Sequence, residues 1–302
     1  MVRGYILHPT YYLERGRPVV HLFGKLETGE SFVARDDRSR PQFYIRTQEL
    51  PVALALAPLQ YRESPLRTPE GEPVSRITTT IPADVPPLRD RLEASGVPTY
   101  EADIPFATTF LLEAGIRGAL TIAGEGRPGR LVGRIFQNAE LRPAEWEPEL
   151  SVLSLDLETD PQRTRILSAA LWGAAGREVL VAAPAPGLGF AETIEVEGAT
   201  AVVRVYPGEK ELLLGLVERL RALDPDVLTG WNVIDFDLRV LQDRFAAHHL
   251  PFHLGRAEIE GRLLLDRGAW NLSRAILPGR VVLDGLGLAR GAFLRLEDYR
   301  LE

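Results

Sequence analysis

The 302-residue sequence contains no cysteine, and Lys25 and Lys210 are its only lysines. The absence of cysteine excludes disulfide bonds and metal sites built from thiolates. No apolar run approaches the roughly 20 residues that a membrane-spanning helix requires. The N-terminal residues 1–16 lack the apolar core of a secretory signal peptide. We therefore expect a cytoplasmic protein with no membrane partner.

Basic residues are outnumbered by acidic residues, which gives a formal net charge of −7. This overall charge disfavours nucleic acid as a partner, although a local groove that holds metal ions can still bind it. The sequence is 45% hydrophobic and 25% charged, which is ordinary for a globular protein. Its length is sufficient for two domains.

The first half of the chain is predicted to be rich in β-strands. Alternating, β-branched and aromatic residues predict strands over 5–11, 19–26, 31–35, 43–46 and 72–81. Helices are predicted over 50–57 and from Asp84, as the N-cap, to Ser95, with Gly96 ending the second. Further short strands are expected over 100–134. The Pro- and Glu-rich stretch 142–149 marks a boundary, so we predict domains over 1–146 and 147–302.

The second half has an α/β pattern. Strands over 150–157 and 166–172 form a hairpin through the turn 161–165, and a third strand covers 178–183. A helix over 209–223, a short buried strand over 226–229, a second helix over 236–248 and a strand over 281–283 follow. We therefore predict an α/β (α+β) fold of two domains, the first β-rich and the second built on a mixed sheet.

Asp156 and Glu158 are the first candidate functional residues. Side chains at positions i and i+2 of a strand share one face, so these two carboxylates point the same way while Leu155 and Leu157 enter the core. Two adjacent negative charges repel each other, and a cation relieves that repulsion. Oxygen ligands suit Mg²⁺ or Mn²⁺. The alternative is that both carboxylates are simply solvated.

A second candidate segment covers residues 229–237, TGWNVIDFD, in which a strand ends in a glycine turn before a helix. Functional groups commonly follow the carboxyl ends of strands in α/β domains. Asp235 and Asp237 are each a candidate ligand or merely an acidic residue of the helix's first turn, and spacing does not choose between them. Asn232 is a candidate contact or a turn former. Asp284, which follows the strand over 281–283, is a weaker candidate for the same site.

Together these residues resemble a known family. Asp156-Leu-Glu158 resembles the first motif of the DnaQ-like, ribonuclease H-like 3′–5′ exonucleases. The segment Gly230–Asp237 resembles the second motif in the form found in family B DNA polymerases. The surrounding sequence is most similar to the bacterial DNA polymerase II branch; the segments that carry this similarity are 100–103, 110–113, 224–232, 236–239 and 279–284. A weaker similarity, over 40–45, is to the family's N-terminal domain.

The resemblance implies a fold and a chemistry. The fold would be a family B N-terminal domain followed by a ribonuclease H-like (DnaQ-like) exonuclease domain. Asp156, Glu158 and Asp237 would be catalytic metal ligands for two Mg²⁺ or Mn²⁺ ions. Asn232 and Phe236 would be substrate-binding residues: Asn232 would contact the frayed 3′ strand, and Phe236 would pack beneath the site. The partners would be DNA, as a single-stranded 3′ end or a primer-template, and the remainder of the polymerase chain.

The sequence departs from the family pattern at the third motif, Y-x-x-x-D, which supplies a further carboxylate. The closest segment, Tyr-Arg-Leu-Glu at 299–302, has the wrong spacing, and the polymerase motifs of the palm are absent. We expect an N-terminal and proofreading region whose exonuclease domain is incomplete at its C-terminus, with impaired nuclease activity. The alternatives are a stand-alone DnaQ-like exonuclease, or a non-catalytic nucleic-acid-binding module of the same fold.

Overall fold

The chain folds into two compact units in a computed structural model. The structure describes residues 1–173, 176–183, 190–196, 199–266 and 273–292, so the segment 299–302 weighed above lies outside the described residues. Unit 1 comprises Met1–Gly129 and Gly133–Glu147, and unit 2 comprises Arg130–Val132 and Pro148–Glu302. The family types assigned to domains 1–146 and 147–302 stay a prediction.

Unit 1 is built on two β-sheets. Its strands are β1 (Val2–Glu14), β2 (Arg17–Leu26), β3 (Ser31–Asp36), β4 (Gln42–Arg46), β5 (Gln60–Arg67), β6 (Pro73–Thr78), β7 (Thr99–Tyr100), β8 (Ala119–Ala123), β9 (Arg127–Pro128), β10 (Arg134–Gln137) and β11 (Glu140–Pro143). The larger sheet has the order β11-β8-β1-β2-β3-β10-β9, and the smaller has β5-β6-β4-β7. Its α-helices are α1 (Leu50–Leu56), α2 (Val85–Ala94) and α3 (Phe106–Glu113).

Three features of unit 1 differ from the sequence prediction. Helix α3 lies where only short strands were expected, because Phe106 and Ala107 pack into the core beside β1 and override the β-branched pair of threonines. Strand β5 was missed because it is an exposed strand without an apolar face. Asp84 does not cap α2 through its side chain. It ends a short 3-10 helix over Pro82–Asp84, and its Oδ2 accepts a hydrogen bond from the backbone N–H of Ile81.

Unit 2 is built on one mixed sheet with the order β15-β16-β14-β13-β12-β17-β20. Its strands are β12 (Val152–Thr159), β13 (Ile166–Gly173), β14 (Gly176–Ala182), β15 (Phe190–Val196), β16 (Ala199–Tyr206), β17 (Val227–Gly230), β18 (Arg262–Leu264), β19 (Arg274–Ile276) and β20 (Val281–Asp284), with β18 and β19 forming a separate antiparallel pair. Its α-helices are α4 (Glu209–Leu223), α5 (Arg239–Ala247) and α6 (Gly285–Gly291), and a π-helical turn over Ile234–Leu238 precedes α5.

One core fixes the position of these elements. Leucines of β12 and β13 face apolar residues of α4 and α5, and all are almost fully buried. Strand β12 pairs antiparallel with β13 and parallel with β17, which in turn pairs parallel with β20. The carboxyl ends of β12, β17 and β20 therefore lie at one edge of the sheet. The predicted α/β fold class is confirmed. Within the part of the chain that the structure describes, no helix is both long and apolar enough to cross a membrane.

Candidate active site at the carboxyl ends of three strands

Strand β12 presents two faces of opposite character. Leu153, Leu155 and Leu157 are buried, while Asp156 and Glu158 are exposed on the other face. This alternation follows from the two-residue period of a strand. It places the two predicted carboxylates on one face, as expected.

Asp237 joins this strand from the π-helical turn. Its side chain is almost fully buried, with a residue exposure of 1%. Its Oδ1 accepts a hydrogen bond from the backbone N–H of Leu157 at 2.9 Å. Pairing between β12 and β17 has ended by this point, so the carboxylate bonds to a part of β12 that β17 does not cover. Because Leu157 directly follows Asp156 in the chain, this bond brings the carboxyl groups of Asp156 and Asp237 into the same neighbourhood.

The electrostatics show that the two groups interact. The pKa of Asp237 is raised to about 7, chiefly because burial disfavours the charged form. The N–H of Leu157 opposes this shift, and the negative charges of Asp156 and Asp284 add to it. Burial and these two neighbouring charges together outweigh the hydrogen bonds that favour the ionised form of Asp237.

A tight turn carries the chain from β17 to Asp237. A Cβ atom on Gly230 would lie 2.5 Å from the carbonyl oxygen of Leu155, so only glycine allows this approach of β17 to β12. Asn232 adopts a left-handed conformation with φ of 56°, which asparagine tolerates better than most residues. The turn thus directs the π-helical segment back across the end of β12.

Asp284 holds that segment from the neighbouring strand. In the pairing of β17 with β20 it lies opposite Gly230. Its Oδ2 accepts a hydrogen bond from the N–H of Ile234 at 3.0 Å, and its Oδ1 accepts one from the N–H of Gly287, where it caps α6. Sequence reasoning gave this residue too little weight. The available signal was an acidic residue at the end of an apolar strand, as at Asp156.

The structure distinguishes Asp235 from Asp237, which spacing could not do. The Oγ of Ser273 donates a hydrogen bond to Oδ1 of Asp235 at 2.7 Å. Asp235 lines a cleft of about 40 Å³ together with Asn232, Ser273 and Asp284. Asp237 instead reaches β12. We call the end of β12 that carries Asp156, together with Asp237, the acidic edge. Asn232 lies beside it, in the cleft that Asp235 and Asp284 line. Its predicted contact with the substrate stays a prediction.

Phe236 lies between the two aspartates in the chain and is half-buried against the core of unit 2. The guanidinium of Arg163, from the turn between β12 and β13, lies over its ring at 4.8 Å from the centroid. This position agrees with a side chain that packs beneath the site. Its predicted role in substrate binding stays a prediction.

The shared cation site predicted for Asp156, Glu158 and Asp237 stays a prediction. Among the described residues, no group of three or more histidine, aspartate or glutamate side chains is arranged to hold a metal ion. Asp237 lies close enough to Asp156 for the charge of Asp156 to raise its pKa, and Glu158 is exposed on the same face of β12 as Asp156. The donors of the pair are carboxylate oxygens, which suit a hard divalent cation, and their repulsion favours one. The chemistry of these oxygen atoms therefore fits a divalent cation. The assignment of all three as metal ligands stays a prediction.

A mixed sheet with an acidic pair at the carboxyl ends of its strands, preceded by a β-rich unit, is the architecture expected of a polymerase-associated exonuclease region. Residues 97–302 match the family model described as DNA polymerase family B, exonuclease domain. The chain belongs to this family. The match begins within unit 1, upstream of the predicted boundary at residue 147. Exonuclease domains of the family depend in general on divalent metal ions.

Individual relatives agree with this assignment. The chain is 32% identical over 220 residues to DNA polymerase II of Escherichia coli, covering 70% of this chain and 26% of that protein. It is 26% identical over 320 residues to a DNA polymerase of a Thermococcus species, covering 98% of this chain and 36% of that protein. The structure of a family B DNA polymerase from Pyrobaculum calidifontis shares its fold, with a TM-score of 0.71 and 24% identity over 96% of this chain and 37% of that one. The chain thus spans about a third of the length of these relatives.

Proposed function

We propose that this chain forms the N-terminal and proofreading region of a DNA polymerase, and that its acidic edge takes part in hydrolysing DNA from the 3′ end. Membership of the family supports the class of reaction. The observation that carries the assignment to residues is the hydrogen bond from Leu157 to Asp237, which brings the second-motif carboxylate beside Asp156.

The residues would act together on a divalent cation. Asp156 and Asp237 would hold it, with Glu158 as a third ligand from the same strand face. When bound, Mg²⁺ or Mn²⁺ would neutralise the phosphodiester charge and lower the pKa of an attacking water. The N–H of Leu157 fixes the orientation of the Asp237 carboxylate, and the left-handed turn at Asn232 presents its amide beside the cleft that Asp235 lines. The product would be a nucleoside monophosphate, and the partners would be DNA and the remainder of a polymerase chain.

A digestion assay tests this function. We expect the chain to release nucleotide from 3′-labelled single-stranded DNA with Mn²⁺, more slowly than an intact proofreading polymerase, since one family motif has no match. Asp156→Ala should abolish the release. Asp235→Asn is the matched control, because it changes a neighbouring acid that bonds to Ser273 instead of β12.

Each outcome distinguishes among the possible functions. Release that Asp156→Ala leaves unchanged would exclude the acidic edge as the site. DNA binding without release in either Mg²⁺ or Mn²⁺ would favour the non-catalytic binding module. Magnesium-dependent digestion as fast as that of an intact proofreading enzyme would show that the chain needs no further carboxylate, which contradicts the proposed incomplete site.

A further inference from the structure

Arg163 lies in the turn between β12 and β13 of unit 2, and its guanidinium, like that of Arg177, lies over an aromatic ring. Other arginines near the core are paired with carboxylates, as Arg244 is with Glu209 and Arg219 with Glu178. Arg163 is exposed, and its guanidinium makes no hydrogen bond or ion pair with any residue that the structure describes. The guanidinium lies over the ring of Phe236, 4.8 Å from its centroid.

The backbone holds Arg163 in this position. The carboxylate of Asp160 accepts hydrogen bonds from the N–H groups of Thr164 and Arg165 and from the hydroxyl of Thr164, at 2.6–2.8 Å. The carbonyl of Asp160 accepts another from the N–H of Arg163. Arg163 itself has φ of 57°, a left-handed conformation that non-glycine residues seldom adopt. The carboxylate of Asp160 thus bonds to Thr164 and Arg165 and not to the guanidinium of Arg163.

The guanidinium of Arg163 lies next to residues of the predicted site. It stacks on Phe236, whose neighbours in the chain are Asp235 and Asp237. The turn that carries it follows directly from the strand that carries Asp156 and Glu158. An unpaired guanidinium, held by its backbone and by an aromatic ring beside an acidic edge, offers N–H donors in the planar fork that suits phosphate oxygens. The acidic groups alone would repel a polyanionic strand.

We propose that Arg163 is a positioning residue that binds a backbone phosphate of the DNA strand entering the acidic edge. The inference rests on the proposed function, since it names a further residue of that site. Arg163 would not touch the cation. Its guanidinium would hold the DNA strand by a charge-assisted hydrogen bond to the phosphate, while the ring of Phe236 holds the guanidinium in place.

The test measures DNA binding and metal binding separately in the full 302-residue chain. Binding of a fluorescein-labelled single-stranded oligothymidylate is followed by anisotropy in Ca²⁺ over a series of salt concentrations. Arg163→Gln should weaken binding about tenfold, as expected for loss of one charge-assisted hydrogen bond. The slope of log affinity against log salt should fall by about 0.7, the value for one phosphate contact on a single strand. Mn²⁺ affinity, followed by electron paramagnetic resonance, should stay within about twofold, a change worth less than 1 kcal/mol.

Three further variants separate recognition from packing. Arg163→Lys keeps the charge and loses the fork, so it should keep the salt slope and recover part of the affinity. Arg163→Met keeps an apolar cover on Phe236 and should bind DNA as weakly as Arg163→Gln. Arg177→Gln is the matched control, because Arg177 is stacked in the same way over Trp172, at 4.7 Å, away from Phe236. It should bind DNA like the unmodified chain.

The results that overturn the inference differ from those that overturn the proposed function. DNA affinity and salt slope unchanged in Arg163→Met would show that Arg163 only covers Phe236, while the proposed function stands. A chain that binds Mn²⁺ through Asp156 but no oligothymidylate would also exclude the phosphate contact. A chain that binds neither would exclude the proposed function, and the role of Arg163 with it.

Discussion

The buried carboxylate of Glu209 is expected to contribute strongly to the stability of unit 2. It lies at the start of α4 and is only 8% exposed. Its oxygens accept hydrogen bonds from the N–H of Ile166 on β13 and from Nε and Nη2 of Arg244 on α5, at 2.7–2.8 Å. Nε2 of His248 lies 2.8 Å from its Oε2. One side chain thus links two helices and the central sheet, including the helix that follows Asp237.

The contribution of Glu209 to the free energy of unfolding can be worked out from the shift of its pKa. Burial alone would raise the pKa of Glu209, but the bonds from Arg244, His248 and Ile166 together outweigh burial and lower it from 4.5 to about 2. Since a tenfold change in an ionisation constant corresponds to 1.36 kcal/mol, this difference is worth about 3 kcal/mol of stability. A carboxyl group whose pKa is lower in the folded chain stabilises it above the unfolded pKa. That stability is fully present above about pH 5 and is lost as the pH falls from about 4.5 towards 2.

The assay is urea unfolding of Glu209→Gln, which keeps the shape of the side chain and removes its charge. We expect the free energy of unfolding at pH 7 to fall by about 3 kcal/mol, and the difference from the unmodified chain to shrink as the pH approaches 2. Glu211→Gln is the matched control, since Glu211 is an exposed acid in the same first turn of α4 and should cost less than about 0.5 kcal/mol. A loss below about 1 kcal/mol, or a difference that does not change between pH 7 and pH 3, would refute this reasoning.

Two further predictions concern the elements that position the site. Arg256 is 3% exposed and bonds to Oδ1 of the buried Asp226 and to Oδ1 of Asp224. Arg256→Met should remove the guanidinium from the buried Asp226 carboxylate and lower the free energy of unfolding by roughly 3–5 kcal/mol in urea titrations; unchanged stability would contradict this. Gly230→Ala should separate β17 from β12, because its Cβ would meet the carbonyl oxygen of Leu155. Gly230→Ala should therefore weaken Mn²⁺ binding about tenfold or more. Gly291→Ala is the control, because Gly291 is exposed and its Cβ would have no atom within 4 Å. Equal Mn²⁺ affinity of the two variants would contradict the proposed site.

Local patterns were sufficient for much of unit 2. The apolar stripe of α4 predicted its bounds, 209–223, as the structure has them. The alternation in β12 predicted that Asp156 and Glu158 share an exposed face. Both results depend only on the periods of a helix and a strand. The motifs around these residues also carried the family resemblance that the family match confirms.

Contacts between segments far apart in the sequence determine the features that local sequence patterns did not predict. The choice of Asp237 over Asp235 depends on a π-helical turn and on a bond to Leu157, which is 80 residues away in the sequence. The position of Asp284 depends on the parallel register of β17 with β20. Helix α3 was missed because its burial against β1 outweighs the local preference of its threonines. Spacing along the chain contains none of this information.

Strand periodicity established less about Glu158 than about Asp237. Asp237 is held at the edge of β12 by the N–H of Leu157, on the side that β17 leaves uncovered. Glu158 shares the exposed face of β12 with Asp156. The two-residue period of a strand establishes only this shared face, so the role of Glu158 as a metal ligand stays a prediction.

The most direct test of the central claim is a double-mutant cycle on Mn²⁺ binding with Asp156→Asn, Asp237→Asn and the double variant. If the two carboxylates share one cation, each single variant should lower Mn²⁺ affinity at least tenfold, and the double variant should lose much less than the sum of the two effects. Additive losses, or Mn²⁺ binding that neither substitution alters, would contradict a shared cation site at the carboxyl ends of these strands.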